Sequence, residues 1–331
     1  MIKTLSLNHF RNFKEKKLEF SEGINVINAE NATGKTNILE AIVFLALGKS
    51  FKARVESECI KYNEQIARIS TDGLEIVLTK DVEGWPKKRL LVNGVSKRLI
   101  DFVGNIKTVL FAPQDLELVT DGPSLRRNFL DTVLSQVDRE YKRALGSYEK
   151  GIRQRNRLLL RIREENISRN NLLFWNQLLI KNGDYISKAR ENLIGYINSL
   201  ENCHLQYDPS IISEGRLDQY KEAEVASATT LVGPHRDDFI FLKDGRNISS
   251  FGSRGQQRME VLYLKLAELS YIEDVTKIKP ILLLDDIFSE LDHMHREIVM
   301  NTLNNYQVII TSADEHNMPR IKSSSINIIK L

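Results

Sequence analysis

The sequence predicts an α/β head interrupted by a long helical hairpin, and three stretches carry that prediction. Ile24-Asn25-Val26-Ile27 is an apolar run of strand length, followed by a loop of small residues and a helical pattern from Thr36 to Leu47. Ile281-Leu282-Leu283-Leu284-Asp285-Asp286 is an apolar run closed by two acids, which is how a buried parallel strand reads. Between them lie two long segments whose apolar residues alternate by three and four.

In chain order, Ile2 to Asn8 reads as a strand, Arg11-Asn12-Phe13 as a turn, and Lys17 to Phe20 as a second strand. Ile66 to Lys80 alternates on both sides of Asp72-Gly73, and Arg89 to Val92 runs into Asn93-Gly94, so two hairpins are expected. Thr108 to Phe111 is a short apolar strand. Ser124 is expected to cap a helical region reaching Arg163, with Leu145, Tyr148, Ile152, Leu159 and Ile162 inward. After a polar break at Glu164 to Asn171, a helix from Leu172 to His204 offers Trp175, Leu179, Ile186, Ala189, Leu193, Tyr196 and Leu200, with Asn182 as the polar interruption. Together these read as an antiparallel coiled-coil arm. Asp208 to Ala228 reads as a mobile linker. A hairpin at Asp237 to Ile248, a helix at Gly255 to Val275, the acidic strand, a helix at His293 to Asn305 and strands at Gln307 to Thr311 and Ile326 to Leu331 complete the chain. The expected divisions are 1–110 and 229–331 for the head and 111–228 for the helical lobe.

A length of 331 residues allows two domains or one domain with an insertion. No apolar run approaches the ~20 residues that cross a bilayer, and Met1-Ile2-Lys3-Thr4-Leu5 does not open a signal peptide. Cys59 and Cys203 are too few for a disulfide framework, and no His spacing suits a metal. A cytoplasmic protein without a membrane partner is expected. With 47 basic and 44 acidic residues, net charge alone does not announce nucleic acid; its distribution matters more.

Strand, small-residue loop, Gly-Lys-Thr and helix is the P-loop arrangement. The loop Ala29-Glu30-Asn31-Ala32-Thr33-Gly34 would turn its N–H groups onto a polyphosphate at the positive end of the helix beginning Lys35-Thr36-Asn37. Lys35 would reach the β- and γ-phosphates, and the Thr36 hydroxyl would hold Mg²⁺. The strict pattern has Gly where Ala29 stands. Asp285 would bind Mg²⁺ through water, and Asp286 would orient or deprotonate the attacking water. Gln114, after the strand ending at Phe111, reads either as a sensor of the metal or as a turn residue. Ser253-Arg254-Gly255-Gln256 opens a helix and reads both as an anion grip and as a capping box between Ser253 and Gln256.

The order of these parts, with the turn Ser289-Glu290-Leu291-Asp292 after the acidic strand, is that of an ABC-type P-loop ATPase. In detail the chain resembles the RecF family of DNA replication and repair proteins. The resemblance rests on Leu7-Asn8-His9-Phe10-Arg11-Asn12-Phe13, Gly34 to Ile42, Phe111-Ala112-Pro113-Gln114-Asp115-Leu116, Arg126 to Asp131, Leu231-Val232-Gly233-Pro234-His235-Arg236-Asp237-Asp238, and the Ser253 and Asp285 segments. It implies an ATP-binding head completed by a second copy of the chain. Lys35, Thr36, Gln114, Asp285 and Asp286 would serve one nucleotide, while Ser253, Gly255 and Gln256 approach from the partner and Asp292 lies at the junction. Arg11 and Asn12 resemble the family's N-terminal nucleotide contact. Ala29 and Ala32 stand where the family usually has Gly. The resemblance further implies weak ATPase activity, DNA as ligand in duplex, single-stranded or gapped form, and recombination mediator proteins as partners.

The first arm helix is rich in Arg and Lys from Arg139 to Arg163, and Arg153, Arg157 and Arg161 are its candidate phosphate contacts. Nothing resembles a base-reading motif. A contrasting class is the ATPase subunit of a membrane transporter; the basic arm, and Ile310-Thr311-Ser312 where such enzymes carry a switch His, argue against it.

Overall fold

The computed structural model describes residues 1–30, 32–80, 86–289, 293–303, 305–312 and 326–331. The chain divides into two units, Met1–Asp115 with Glu268–Leu331, and Leu116–Ala267. The stretch 229–267, which the sequence reading gave to the head, therefore falls in the unit that holds the helical arm.

The first unit is built around a helix that is apolar on nearly every side. In α1 (Lys35–Leu47), every residue but Thr36 and Asn37 is buried. Such a helix needs cover all round, and two sheets supply it. One is antiparallel, in the order β2-β1-β4-β5-β6-β7, from β1 (Thr4–Asn8), β2 (Glu15–Glu19), β4 (Ile66–Thr71), β5 (Leu74–Lys80), β6 (Pro86–Val92) and β7 (Val95–Lys97). The other is parallel, in the order β14-β3-β13-β12-β8, from β3 (Ile24–Asn28), β8 (Thr108–Phe111), β12 (Ile281–Asp285), β13 (Val308–Ser312) and β14 (Ile326–Lys330). Helix α1 packs on β4 and β5 of the first sheet and on β8, β12 and β13 of the second. Short helix α2 (Leu99–Phe102) adds Phe102 to the same core, and α11 (His293–Leu303) precedes β13.

Register in the parallel sheet places the chemistry. Asp285 pairs with Thr311, Thr311 with Ile27, and Leu284 with Phe111. The carboxyl ends of β3, β8, β12 and β13 thus share one edge, which is where open α/β sheets hold their ligands.

The second unit contains α3 (Glu117–Thr120), α4 (Pro123–Val137), α5 (Arg139–Glu165), α6 (Leu173–Ser199), α7 (Glu214–Gln219) and α8 (Lys221–Ser227). It also contains a sheet in the order β11-β10-β9, from β9 (His204–Asp208), β10 (Asp238–Lys243) and β11 (Arg246–Asn247), and short helix α9 (Ile248–Phe251). Helix α10 (Arg254–Thr276) begins in this unit and ends in the first.

Three expectations change here. The region from Ser124 to Arg163 is two helices. Gly122 is the N-cap of α4, with Pro123 in its first turn, and extended Asp138 ends α4 and caps α5 by accepting from the Tyr141 N–H at 3.0 Å. The linker from Asp208 to Ala228 is ordered as α7 and α8, and His204 to Asp208 is a strand on β10. These pieces are too short for sequence periodicity to separate them from loop. The arm seam also shifts: α5 buries Tyr141, Ala144, Tyr148, Gly151, Arg155, Leu159 and Ile162, while α6 buries Leu179, Asn182, Ile186, Arg190, Leu193 and Ile197. Gly151 belongs to that seam because a Cβ there would stand 2.8 Å from Leu178 and 2.9 Å from Leu179.

Candidate nucleotide-binding site

At the carboxyl edge of the parallel sheet, an open cleft of about 750 Å³ is lined by Ala32, Gly34, Lys35, Thr36, Asn37, Phe51, Lys52, Pro113, Gln114, Asp285 and Asp286. Most of the predicted nucleotide residues of the first unit meet here.

The loop is shaped by two left-handed residues. Gly34, the N-cap of α1, has φ 108°, and a Cβ there would lie 2.6 Å from the Asn12 side chain and 2.8 Å from Phe13. Ala32 has φ 65°, whereas Ala29 is not among the residues of positive φ. Of the two alanines in glycine positions, only Ala32 therefore bears backbone strain. The Lys35 ammonium donates to the carbonyls of Ala29 at 2.5 Å and Glu30 at 3.0 Å, and the Thr33 hydroxyl donates to Glu30 O at 2.8 Å. Lys35 is thus held over the loop by the loop's own carbonyls.

Thr36 Oγ1 donates to the Asp285 carboxylate at 2.9 Å and 3.1 Å, tying α1 to the end of β12. Thr311 Oγ1, next door on β13, donates to Asp285 at 2.8 Å and accepts from the Asp286 N–H at 3.1 Å. Asp285 is buried, so these hydroxyls orient it; Asp286 follows in a left-handed turn with φ 51°. Gln114 sits exposed on a 3-10 turn after β8, fixed by Asp115 accepting the Ala112 N–H at 2.8 Å.

Asn12 reaches the loop by donating to Thr33 O at 2.7 Å and accepting from Asn37 at 2.9 Å. Arg11 takes another place. Its guanidinium holds the fully buried Glu40 of α1 through two hydrogen bonds and donates to Glu58 O at 2.9 Å, so it braces the turn against α1 instead of lining the cleft. Cys59 beside this pair is buried, and its thiol is pushed up to about 12 by burial and by the Glu40 charge.

Ser253, Gly255 and Gln256 are exposed at the start of α10 in the second unit. The capping box is formed: Ser253 N–H donates to Gln256 Oε1 at 2.8 Å, and Gln256 N–H donates to Ser253 Oγ at 3.3 Å. Asn31 and Asp292 lie outside the described residues. Sequence reasoning missed Phe51, Lys52 and Thr311. Only Thr311 left a signal, as a hydroxyl ending a strand beside the acidic one.

On the arm, Arg153, Arg157 and Arg161 are all exposed on α5. Arg161 pairs with Glu165. Arg155, between them in sequence, is buried and bonded to Glu224, Asn176 and Thr230, so it belongs to the core and not to the stripe. Arg126 is likewise buried, paired with Asp238.

Comparison with known proteins places the whole chain in a family. The family model for the RecF/RecN/SMC N terminal domain matches residues 1–330. The chain is 37% identical to the DNA replication and repair protein RecF of Lachnoclostridium phytofermentans, over 94% of this chain and 92% of that one. It is 35% identical to the protein of the same name from Agathobacter rectalis, over 94% and 91%. Among solved structures it is similar to the recombination mediator protein RecF-ATPrS in the RecFOR pathway, with TM-score 0.85 and 33% identity over 99% of this chain and 96% of that one. The corresponding RecF-ATP structure gives TM-score 0.83 and 32% identity, over 96% and 93%. With the P-loop, the acidic strand and near full-length identity in agreement, this chain belongs to the RecF family.

Proposed function

We propose that this protein is an ATP-dependent DNA-binding protein of replication and repair, whose head binds ATP with Mg²⁺ and pairs with a second copy around the nucleotide. The observation that carries the reading is the hydrogen bond from Thr36 to Asp285 beside Lys35. It joins a phosphate loop to an acidic strand end at one cleft. Relatives named for DNA replication and repair, and solved neighbours named for ATP and a recombination mediator, support it.

Thr36, Asp285 and Gln114 offer a hydroxyl, a carboxylate and an amide oxygen on one cleft, a hard-oxygen set that suits Mg²⁺. When bound, Mg²⁺ supplies charge neutralisation across the β- and γ-phosphates. Lys35 balances the phosphate charge, exchanging the loop carbonyls for phosphate oxygens. Asp286 orients the attacking water, and Thr311 holds both acids in place. Ser253, Gly255 and Gln256 offer a hydroxyl and helix N–H groups to the nucleotide of a second copy. The pair then behaves as a switch that ATP stabilises by mass action and hydrolysis releases. Ser312 stands where faster ABC enzymes carry a switch His, in keeping with weak ATPase activity. Recombination mediators are the partners this reading proposes.

The test is ATP-dependent dimerisation followed by sedimentation. The parent is expected to dimerise with ATP and Mg²⁺, and Lys35→Arg to stay monomeric because the fork misplaces the charge. A Lys35→Arg protein that dimerises as well as the parent sinks the assignment of the loop.

A further inference from the structure

We propose that Phe174, at the outer end of the helical arm, is a stacking platform for an unpaired DNA base, with Arg157 of α5, level with it on the same side of the arm, among the cations that meet the phosphates. This rests on the DNA-binding reading above and assigns a different contact within it. Phe174 is 64% exposed, and Trp175 braces it edge-on at 5.0 Å between centroids. An aromatic ring that stays exposed while packed in a T-shape on its neighbour suits a flat apolar ligand.

Level and phase bring the two residues together. The Arg155–Asn176 hydrogen bond of 2.7 Å sets Arg157 level with Phe174 across the hairpin. Farther along, Arg143 on α5 and Tyr185 on α6 lie within electrostatic reach of each other, which defines one side of the arm. At 3.6 residues per turn, Arg157 lies close to four turns from Arg143, and Phe174 close to three turns from Tyr185. Both therefore occupy that side. The other side is taken by α8, through Arg155 to Glu224 and Arg163 to Ala226 O.

Charge selects the ligand. Among the described residues, exposed Lys150, Arg153 and Arg157 make no ion pair, while Arg143 and Arg161 are paired with Glu140 and Glu165. Cations without ion pairs on the same side of the arm as an exposed aromatic ring suit a chain that alternates phosphates with planar rings. Duplex bases are already stacked on one another, so the ring selects an unpaired base.

The experiment uses the full chain with ATP and Mg²⁺, and measures anisotropy on a labelled blunt duplex and on the same duplex with an oligothymidine overhang. The parent is expected to prefer the overhang. Phe174→Ala should lose roughly tenfold in affinity for the overhang and leave the blunt duplex unchanged. Phe174→Tyr should keep the preference, and Arg157→Gln should weaken both. No overhang preference in a parent that still binds blunt duplex, or a Phe174→Ala protein that keeps its preference, overturns the stacking site and leaves DNA binding standing. A parent that binds neither probe removes both readings.

Discussion

Ala32 shows how much one Cβ changes in this site. Its left-handed conformation costs an L-residue about 1–2 kcal/mol relative to Gly. Gly in the unfolded chain gives back about 0.4–1 kcal/mol. Ala32→Gly should therefore be neutral to stabilising by up to about 1.6 kcal/mol, whereas Ala29→Gly, without positive φ to relieve, should destabilise by about 0.5–1 kcal/mol. Urea unfolding of the two variants checks the opposite signs. Arg155 and Arg157 make a second contrast, two positions apart on one helix. Arg155→Met leaves Glu224 buried without its partner and should cost about 3–5 kcal/mol. Arg157→Met, at an exposed position, should stay within about 0.5 kcal/mol. Equal losses in thermal unfolding would contradict the burial assigned to Arg155.

At the scale of elements, the base of the arm depends on the segment Gly233-Pro234-His235-Arg236-Asp237-Asp238. Asp237 is fully buried and accepts from Arg190 at 2.8 Å and from the Ser210 N–H at 2.7 Å; Asp238 pairs with Arg126 of α4. These bonds tie β10 and its approach to α4 and α6. His235 belongs to the same lock. Its Nε2 faces Thr230 O at 3.0 Å, which only accepts, so the proton sits there and Nδ1 accepts from Tyr148 OH at 2.9 Å. Burial, with nearby Arg236 and Arg127, pushes the imidazole down from 6.5 to about 4. A depressed folded-state value means that the unfolded chain takes the proton first. The stability His235 contributes is therefore complete above pH 6.5 and falls as pH drops toward 4. His235→Asn should be less stable than the parent at pH 7, and the gap should narrow across that window. Unfolding midpoints measured at each pH decide it; a gap that is constant with pH would show that folding does not depress the imidazole's pKa.

For the whole molecule, the question is how a chain of net charge +3 meets a polyanion. Under the proposed function the answer lies in distribution, in the exposed cations on one side of α5. Reversing Arg153, Arg157 and Arg161 to Glu should weaken binding to duplex DNA and flatten its dependence on salt. The log–log slope should fall by about 0.9 for each phosphate contact removed. Parent and variant titrated from low to high salt give the number directly, and an unchanged slope would take the arm off the contact surface.

The sequence by itself determined the class of fold and the ends of the chemistry. Period-two and apolar runs marked β3, β8, β12 and β13, because a strand buried on both faces has to be apolar throughout. Gly-Lys-Thr and the paired acids were legible because phosphate and metal chemistry restrict which residues can serve. Tertiary structure alone decided which polar residues were interior. Arg155 and Arg190 occupy seam positions of the arm, and the acids Glu224 of α8, Asp131 of α4 and Asp237 make burial of a guanidinium tolerable. Arg11, which the family resemblance carries over as a nucleotide contact, pairs with Glu40, a partner that lies far along the chain on α1. Thr311 reaches the Asp285 carboxylate through sheet register, and Lys52 reaches the cleft through the turn after α1, which local pattern does not encode. A residue type announces what a side chain can bond to, and the fold decides whether that partner is solvent, a ligand or another part of the same chain.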